Sequence, residues 1–342
     1  MRFARGALAL VIGAIALSGC HVEPSPEPTF ETENFRYYVD SSRARCDRVT
    51  AWLEHYAMSL KRTLGTSPGK IDYHLYSDTV ALTDSGCDAL GCTTGNEVRS
   101  VFPVHSHELV HVYANALGHP PSLFEEGLAS VLGCTSEPST QTMTNVDDVI
   151  TSAGFEEAPR ADAYATSASF VRHLRDRHGH EAFLDVYARL SHDASRTDIS
   201  SAFVDAFRTS LNDEIAAWRA APPTVICDRQ IECSMMHIAR ERQTQVDLLC
   251  GRQGPPAELV FRVDIKRDSV FELEFSGSPT RGISIHQCSG TAMNDFSQST
   301  DGRYTAPLSP DSYLIRLRGD AVGKSHQIHW MTIAADEQLP SL

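Results

Sequence analysis

The stretch "VHSHELVHVY", residues 104–113, decides how the first two-thirds of the chain is read. Within it lies His107-Glu108-Leu109-Val110-His111, the pattern H-E-x-x-H. An α-helix turns once in about 3.6 residues, so side chains four apart share a face. His107 and His111 can therefore aim neutral imidazoles at one ion. Glu108 stands about 100° round the helix from His107, which places a carboxylate beside that ion without making it a ligand. The bland alternative is a pair of histidines on a solvated face. Leu109, Val110 and Val112 argue against it, because a largely apolar helix tolerates imidazoles only when they are satisfied.

A catalytic zinc needs a third protein ligand and an open fourth position. Working outward, Pro120-Pro121 breaks the chain, Ser122 can cap the next helix, "LFEEGLASVLG", and Gly133 can end it. That helix carries Glu125 and Glu126, which are adjacent, so only one of them can face the ion. Here the chain resembles the gluzincins, the thermolysin-like and aminopeptidase-like zinc peptidases. In these an H-E-x-x-H helix is followed by a second helix whose glutamate ligand directly precedes Gly-x-Ala. "EGLA" (126–129) matches that pattern and selects Glu126, with Glu125 as a neighbour. The interval 112–125 is shorter than in typical aminopeptidases, so the match is to compact, peptidase-MA-like members.

The resemblance covers about residues 95–190 and implies a zincin-like catalytic domain. It implies Zn2+ on His107, His111 and Glu126. Glu108 would be the general base that takes a proton from zinc-acidified water and delivers it to the leaving amine. "YATSASFVRHL" resembles a Tyr-Ala-x-x-x-x-Phe-Val segment that carries an oxyanion-stabilising tyrosine, which makes Tyr164 the candidate; packing on an amphipathic helix is its bland alternative. "NEVRSVF" (96–102) is expected as the edge strand that pairs with extended substrate. The Gly-Met-Glu-Asn element that grips a free amino terminus is missing, which favours an endopeptidase acting on protein or peptide. His105, two residues before the motif, is expected to face elsewhere on the helix, either behind the ligands or exposed, and so to be a bystander. His173, His178 and His180 fall in "RHLRDRHGHE", expected as a solvated face.

Toward the amino terminus, Arg2 and Arg5 precede an apolar run from Ala7 to Leu17. Its length suits a signal peptide and is too short for a membrane span. Leu17-Ser18-Gly19-Cys20 looks like a bacterial lipobox, with cleavage before Cys20 and lipid on its thiol. The expectation is a leader at 1–19, a proline- and acid-rich flexible tether at 20–34, and a lipid-anchored protein of the bacterial cell envelope. Export predicts oxidised cysteines. Cys46, Cys87, Cys92 and Cys134 form one set and Cys227, Cys233, Cys250 and Cys288 a second. Each set allows three pairings, and Cys87 with Cys92 can close a small loop.

The 342 residues carry a net charge of −14, which argues against nucleic acid as a partner, since such a binder shows a basic stripe. Periodicity predicts helices at 41–64, 105–118, 123–133, 161–179, 181–190, 199–207 and 211–220, with strands at 70–76 and 96–103. After a boundary at 221–228 the period changes to two, predicting strands at 259–265, 269–277, 282–288, 312–319 and 326–333. The fold class is α+β: a metallopeptidase domain at 35–221, then a small antiparallel β-sandwich-like domain at 226–342. The rival reading is a lipid-anchored binding or adhesion protein whose peptidase fold is catalytically silent.

Overall fold

The computed structural model describes residues 27–40, 47–134 and 143–221, together with strands and adjoining residues between 243 and 334. The leader at 1–19 and Cys20 lie outside the described residues. No helix among the described residues is long and apolar enough to cross a membrane.

The first part of the chain forms β1 (Phe30–Glu31), β2 (Phe35–Val39), α1 (Asp47–Leu64), β3 (Ile71–Leu75), α2 (Thr79–Asp84), β4 (Gly91–Thr94) and β5 (Glu97–Ser100). The sheet order is β1-β2-β3-β5-β4. β2, β3 and β5 run parallel, while β1 and β4 are antiparallel to their neighbours. Alternation explains the burial: Phe35 and Tyr37 of β2 and Ile71 and Tyr73 of β3 enter the core, because successive strand side chains point to opposite faces. α1 is the crossover between β2 and β3. It buries Leu53, Tyr56, Ala57, Leu60 and Leu64, and Gly65, at φ +68°, ends it by donating its N–H to the Lys61 carbonyl.

Two expectations change here. The tether does not extend to residue 34. Phe30 stacks on Tyr37 at 4.5 Å, and the Thr29 N–H donates to the Tyr37 carbonyl at 2.7 Å, so the chain joins the sheet as soon as its prolines stop at Pro28. The edge strand is also a different one. β5 is internal and ends at Ser100, and the edge is β4, "GCTT". β4 and β5 meet through Gly95-Asn96 in a tight hairpin, with Gly95 at φ +58°, a conformation that glycine adopts without a steric penalty. The Cys87–Cys92 disulfide ties the loop before β4 to the strand itself. Cys134 and Cys288 are also disulfide-bonded.

The helical part comprises α3 (Ser106–Ala114), α4 (Ser122–Gly133), α5 (Val146–Val149), α6 (Ser152–Glu157), α7 (Arg160–His178), α8 (His180–Arg189), α9 (Arg196–Phe207) and α10 (Leu211–Ala220). α4 is packed between α3 and α7, and both contacts depend on glycine. A Cβ on Gly127 would lie 2.5 Å from Val171 Cγ2 and 2.7 Å from the Ser167 carbonyl oxygen. A Cβ on Gly133 would lie 2.8 Å from the backbone of His107. The glycine of "EGLA" is thus the point where α4 touches α7, and α7 meets it with a small-residue face that includes Ala163, Ser167 and Ala168. The sheet and these helices share one apolar core, in which Phe170 and Phe203 stack at 6.4 Å.

Beyond α10 the described elements are all strands: β6 (Gln243–Asp247), β7 (Ala257–Ile265), β8 (Ser269–Ser276), β9 (Thr280–Gln287), β10 (Met293–Asn294), β11 (Ser297–Gln298), β12 (Arg303–Leu308), β13 (Asp311–Gly319) and β14 (Ser325–Ala334). They form two sheets, β10-β9-β13-β7 and β11-β12-β8-β14-β6, and every pairing is antiparallel. Among the described side chains of the first sheet, Val263, Ile265, Ile285, Tyr313 and Ile315 are buried. The class is α+β.

Candidate metal centre

α3 and α4 bring three side chains to one point. The Ser106 hydroxyl donates to the Gly133 carbonyl at 2.6 Å, pinning the start of α3 on the end of α4. His107 Nε2 lies 2.9 Å from Glu126 Oε2, His111 Nε2 lies 3.4 Å from the same oxygen, and the two Nε2 atoms are 3.1 Å apart. A tetrahedral ion with ligands at about 2.0–2.1 Å spaces them about 3.3 Å from one another, and the three observed separations fall within about 0.4 Å of that value. Among the described residues this is the only group of three or more His, Cys, Asp or Glu side chains whose ligand atoms lie within 4.8 Å of one another. Glu125 turns away, with Oε1 3.4 Å from His119 Nδ1.

The electrostatics of the triad have one direction. Burial opposes charge on His111, but the hydrogen bond and negative charge of Glu126 outweigh it, so its pKa is raised. Burial likewise works against ionised Glu126, yet His107 and His111 hold the carboxyl well below the usual carboxylate range. The glutamate is thus an anion facing two imidazoles, a donor set of the kind a zinc ion takes.

Glu108 is buried beside His107. The Thr93 hydroxyl, on β4, lies 2.8 Å from Glu108 Oε2 and 3.0 Å from the Glu108 carbonyl oxygen, with the carboxylate the nearer acceptor for its one proton. Of the two places open to His105, the structure gives the one behind the ligands. It is the residue before α3, its Nε2 lies 3.8 Å from Glu108 Oε1, and its Nδ1 lies 2.9 Å from the Ser100 hydroxyl. Burial lowers its pKa to about 4. The sequence hid this position because it depends on Gly91: a Cβ there would lie 2.1 Å from His105 Nδ1.

Tyr164 reaches the same place from α7. Its ring is stacked over that of His107 at 6.1 Å and packs on Phe155 at 5.5 Å. Burial, then the negative charge of Glu126, pushes its pKa up to about 12, so the phenol keeps its proton and remains a donor. Arg160, one turn earlier, holds its guanidinium 5.4 Å above the Tyr164 ring and donates to the phenol oxygen at 3.5 Å. Arg160 was legible only as an Arg-x-x-x-Tyr spacing at a helix start.

No protein-family model matches the chain, and no curated protein matches it. What the centre can do follows from its own residues: three converging ligand atoms, an adjacent carboxylate held by a hydroxyl, and a protonated phenol whose ring stacks over His107.

The remaining histidines of the charged stretch are not on a solvated face. His173 Nε2 and His178 Nε2 lie 3.5 and 3.1 Å from Glu214 Oε2, and Arg177 Nε lies 3.3 Å from Oε1. Glu214, from α10, is fully buried. His180 Nε2 is 2.8 Å from the Thr63 carbonyl, at the end of α1. α10 thus supplies the carboxylate that His173, Arg177 and His178 of α7 share. None of the three histidines reaches the metal centre.

Proposed function

We propose that the chain is a zinc-dependent peptidase of gluzincin type, with a zincin-like catalytic unit ahead of a β-sandwich-like unit, exported and held at the bacterial envelope by lipid on Cys20. The observation that carries the reading is the convergence of His107, His111 and Glu126 with Glu108 alongside. Separations of 2.9, 3.1 and 3.4 Å suit a four-coordinate ion with one open position. When bound, zinc supplies a Lewis acid that acidifies water and polarises a carbonyl.

The chain's own groups divide the remaining work. Glu108 takes a proton from the attacking water and returns it to the amine nitrogen as the peptide bond breaks. The Tyr164 hydroxyl donates to the carbonyl oxygen as it gains charge. The outer edge of β4 offers backbone N–H and C=O groups to an extended peptide. Oxidised cysteines at 87, 92, 134 and 288 suit an exported protein. A strongly acidic chain, at net −14, suits a protein substrate better than nucleic acid.

The test is Glu108→Gln. The variant is expected to retain one zinc per chain and to lose about 10²- to 10⁴-fold in peptide hydrolysis. A purified wild-type protein that binds no zinc overturns the proposal. A zinc-loaded wild type that cleaves nothing in a broad peptide mixture favours a silent, lipid-anchored binding protein instead.

A further inference from the structure

We propose that His105 and Thr93 are positioning residues for Glu108, and that a backbone amide, acting through Ser100, sets the tautomer of His105. The proposal rests on the peptidase reading for its kinetic consequence, but its structural part stands apart from it. A carboxylate on a two-methylene arm can swing and can rotate about its last bond. A general base has to present one oxygen at hydrogen-bond distance from the proton it removes, so something has to hold it. In this site each oxygen of Glu108 has its own neighbour. Thr93 Oγ1 is 2.8 Å from Oε2, and His105 Nε2 faces Oε1 across 3.8 Å.

The second contact depends on which ring nitrogen of His105 carries the proton, and Ser100 is the group placed to bias it. The Phe102 N–H donates to Ser100 Oγ at 2.8 Å, which fills one acceptor position of the serine oxygen and leaves its proton to be shared between His105 and Tyr73, whose own hydroxyl donates to the Phe102 carbonyl. Ser100 Oγ lies 2.9 Å from His105 Nδ1. With the serine as donor, Nδ1 keeps its lone pair and the proton sits on Nε2, aimed at Glu108. The chain of command runs from a main-chain amide to a hydroxyl, to an imidazole, to the base. At 3.8 Å the last link is longer than a hydrogen bond, and contacts of this kind tighten when substrate enters. The space for the ring comes from β4: a Cβ on Gly91 would lie 2.1 Å from His105 Nδ1 and 3.2 Å from Glu108 Cγ. The edge strand thus places both residues, one by its hydroxyl at Thr93 and one by having no side chain at Gly91.

The full-chain protein with 15N-labelled histidine tests the tautomer directly, and no substitution is needed. The Nε2–H form is expected for His105, both with zinc and after chelation. An Nδ1–H form overturns the proposal. Kinetics test the positioning. His105→Leu and Thr93→Val are expected to keep zinc content and KM while kcat falls roughly 10- to 100-fold, the usual cost of losing a group that orients a metal-site residue. His105→Gln, whose amide can donate from about the place of Nε2, is expected to recover most of kcat. Full kcat in His105→Leu, or a His105→Gln variant that keeps zinc and is as slow as His105→Leu, overturns it. Failure of the peptidase reading looks different: the wild type itself then lacks zinc or turnover.

Discussion

Among the described residues, two partly buried clusters have the same ingredients, two histidines and a glutamate, and arrange them differently. At His107, His111 and Glu126 the ligand atoms converge within 4.8 Å. At His173, His178 and Glu214 they do not form such a group, although both imidazoles approach the same carboxylate oxygen. Helical geometry explains the difference. Residues four apart differ by about 40° round the axis and residues five apart by about 140°, so the first pair points together and the second pair grips Glu214 from two sides. The second cluster also contains its own cation, Arg177, 3.3 Å from Glu214 Oε1. The first has the spacing that an ion would need, and the second joins α7 to α10. α7 connects them, with Tyr164 near one end and His173 and His178 near the other.

The sharpest break of this comparison is to remove one histidine from each cluster. His111→Ala is expected to abolish tight zinc binding, whereas His178→Ala keeps one zinc per chain, as read by metal analysis after gel filtration. A smaller effect belongs to the end of α7 nearer the first cluster. Tyr164→Phe removes the phenol donor and is expected to lower kcat by about 10²-fold with KM and zinc content retained; a variant with unchanged kcat makes Tyr164 a packing residue. At the other end of α7, Glu214→Ala is expected to lower unfolding free energy by about 2–3 kcal/mol in urea titrations. That is at or below the low end of the roughly 3–5 kcal/mol usual for breaking a buried pair, because the Arg177 side chain it leaves is 53% exposed. Zinc affinity should not change.

The smallest effect is a pH dependence. Burial lowers the pKa of His173 below its ordinary 6.5, with Glu214 only partly opposing it. The unfolded chain therefore binds this proton first as pH falls, and the contribution of His173 to stability declines as pH drops through and below 6.5. His173→Gln is expected to flatten that decline in unfolding measured between about pH 5 and 8. An unchanged slope removes His173 from the explanation.

Periodicity made α3, α4 and the long helix α7 legible, because their apolar faces recur at helical spacing, and it made the triad legible because its spacing is set within two short helices. β4 was not legible. "GCTT" has no apolar alternation, and it exists as a strand because Gly95 turns the chain back along β5. The roles of His105 and Thr93 were hidden for the same reason, since both are assigned by that hairpin. The burial of His173 and His178 was hidden because their anion lies on another helix, with Glu214 37 residues beyond Arg177. A stretch reading "RHLRDRHGHE" looks solvated until that carboxylate arrives.

The turn at Pro120-Pro121 has a consequence for folding. It joins two helices whose ligands are only 19 residues apart, and Thr93 reaches Glu108 over 15. By comparison, the Tyr56 hydroxyl crosses 76 residues to reach the Leu132 carbonyl. Closing the longer loop costs about 1.2 kcal/mol more in chain entropy than closing the triad. Bringing the three side chains of the centre together therefore asks less of the chain than tying α1 to the end of α4.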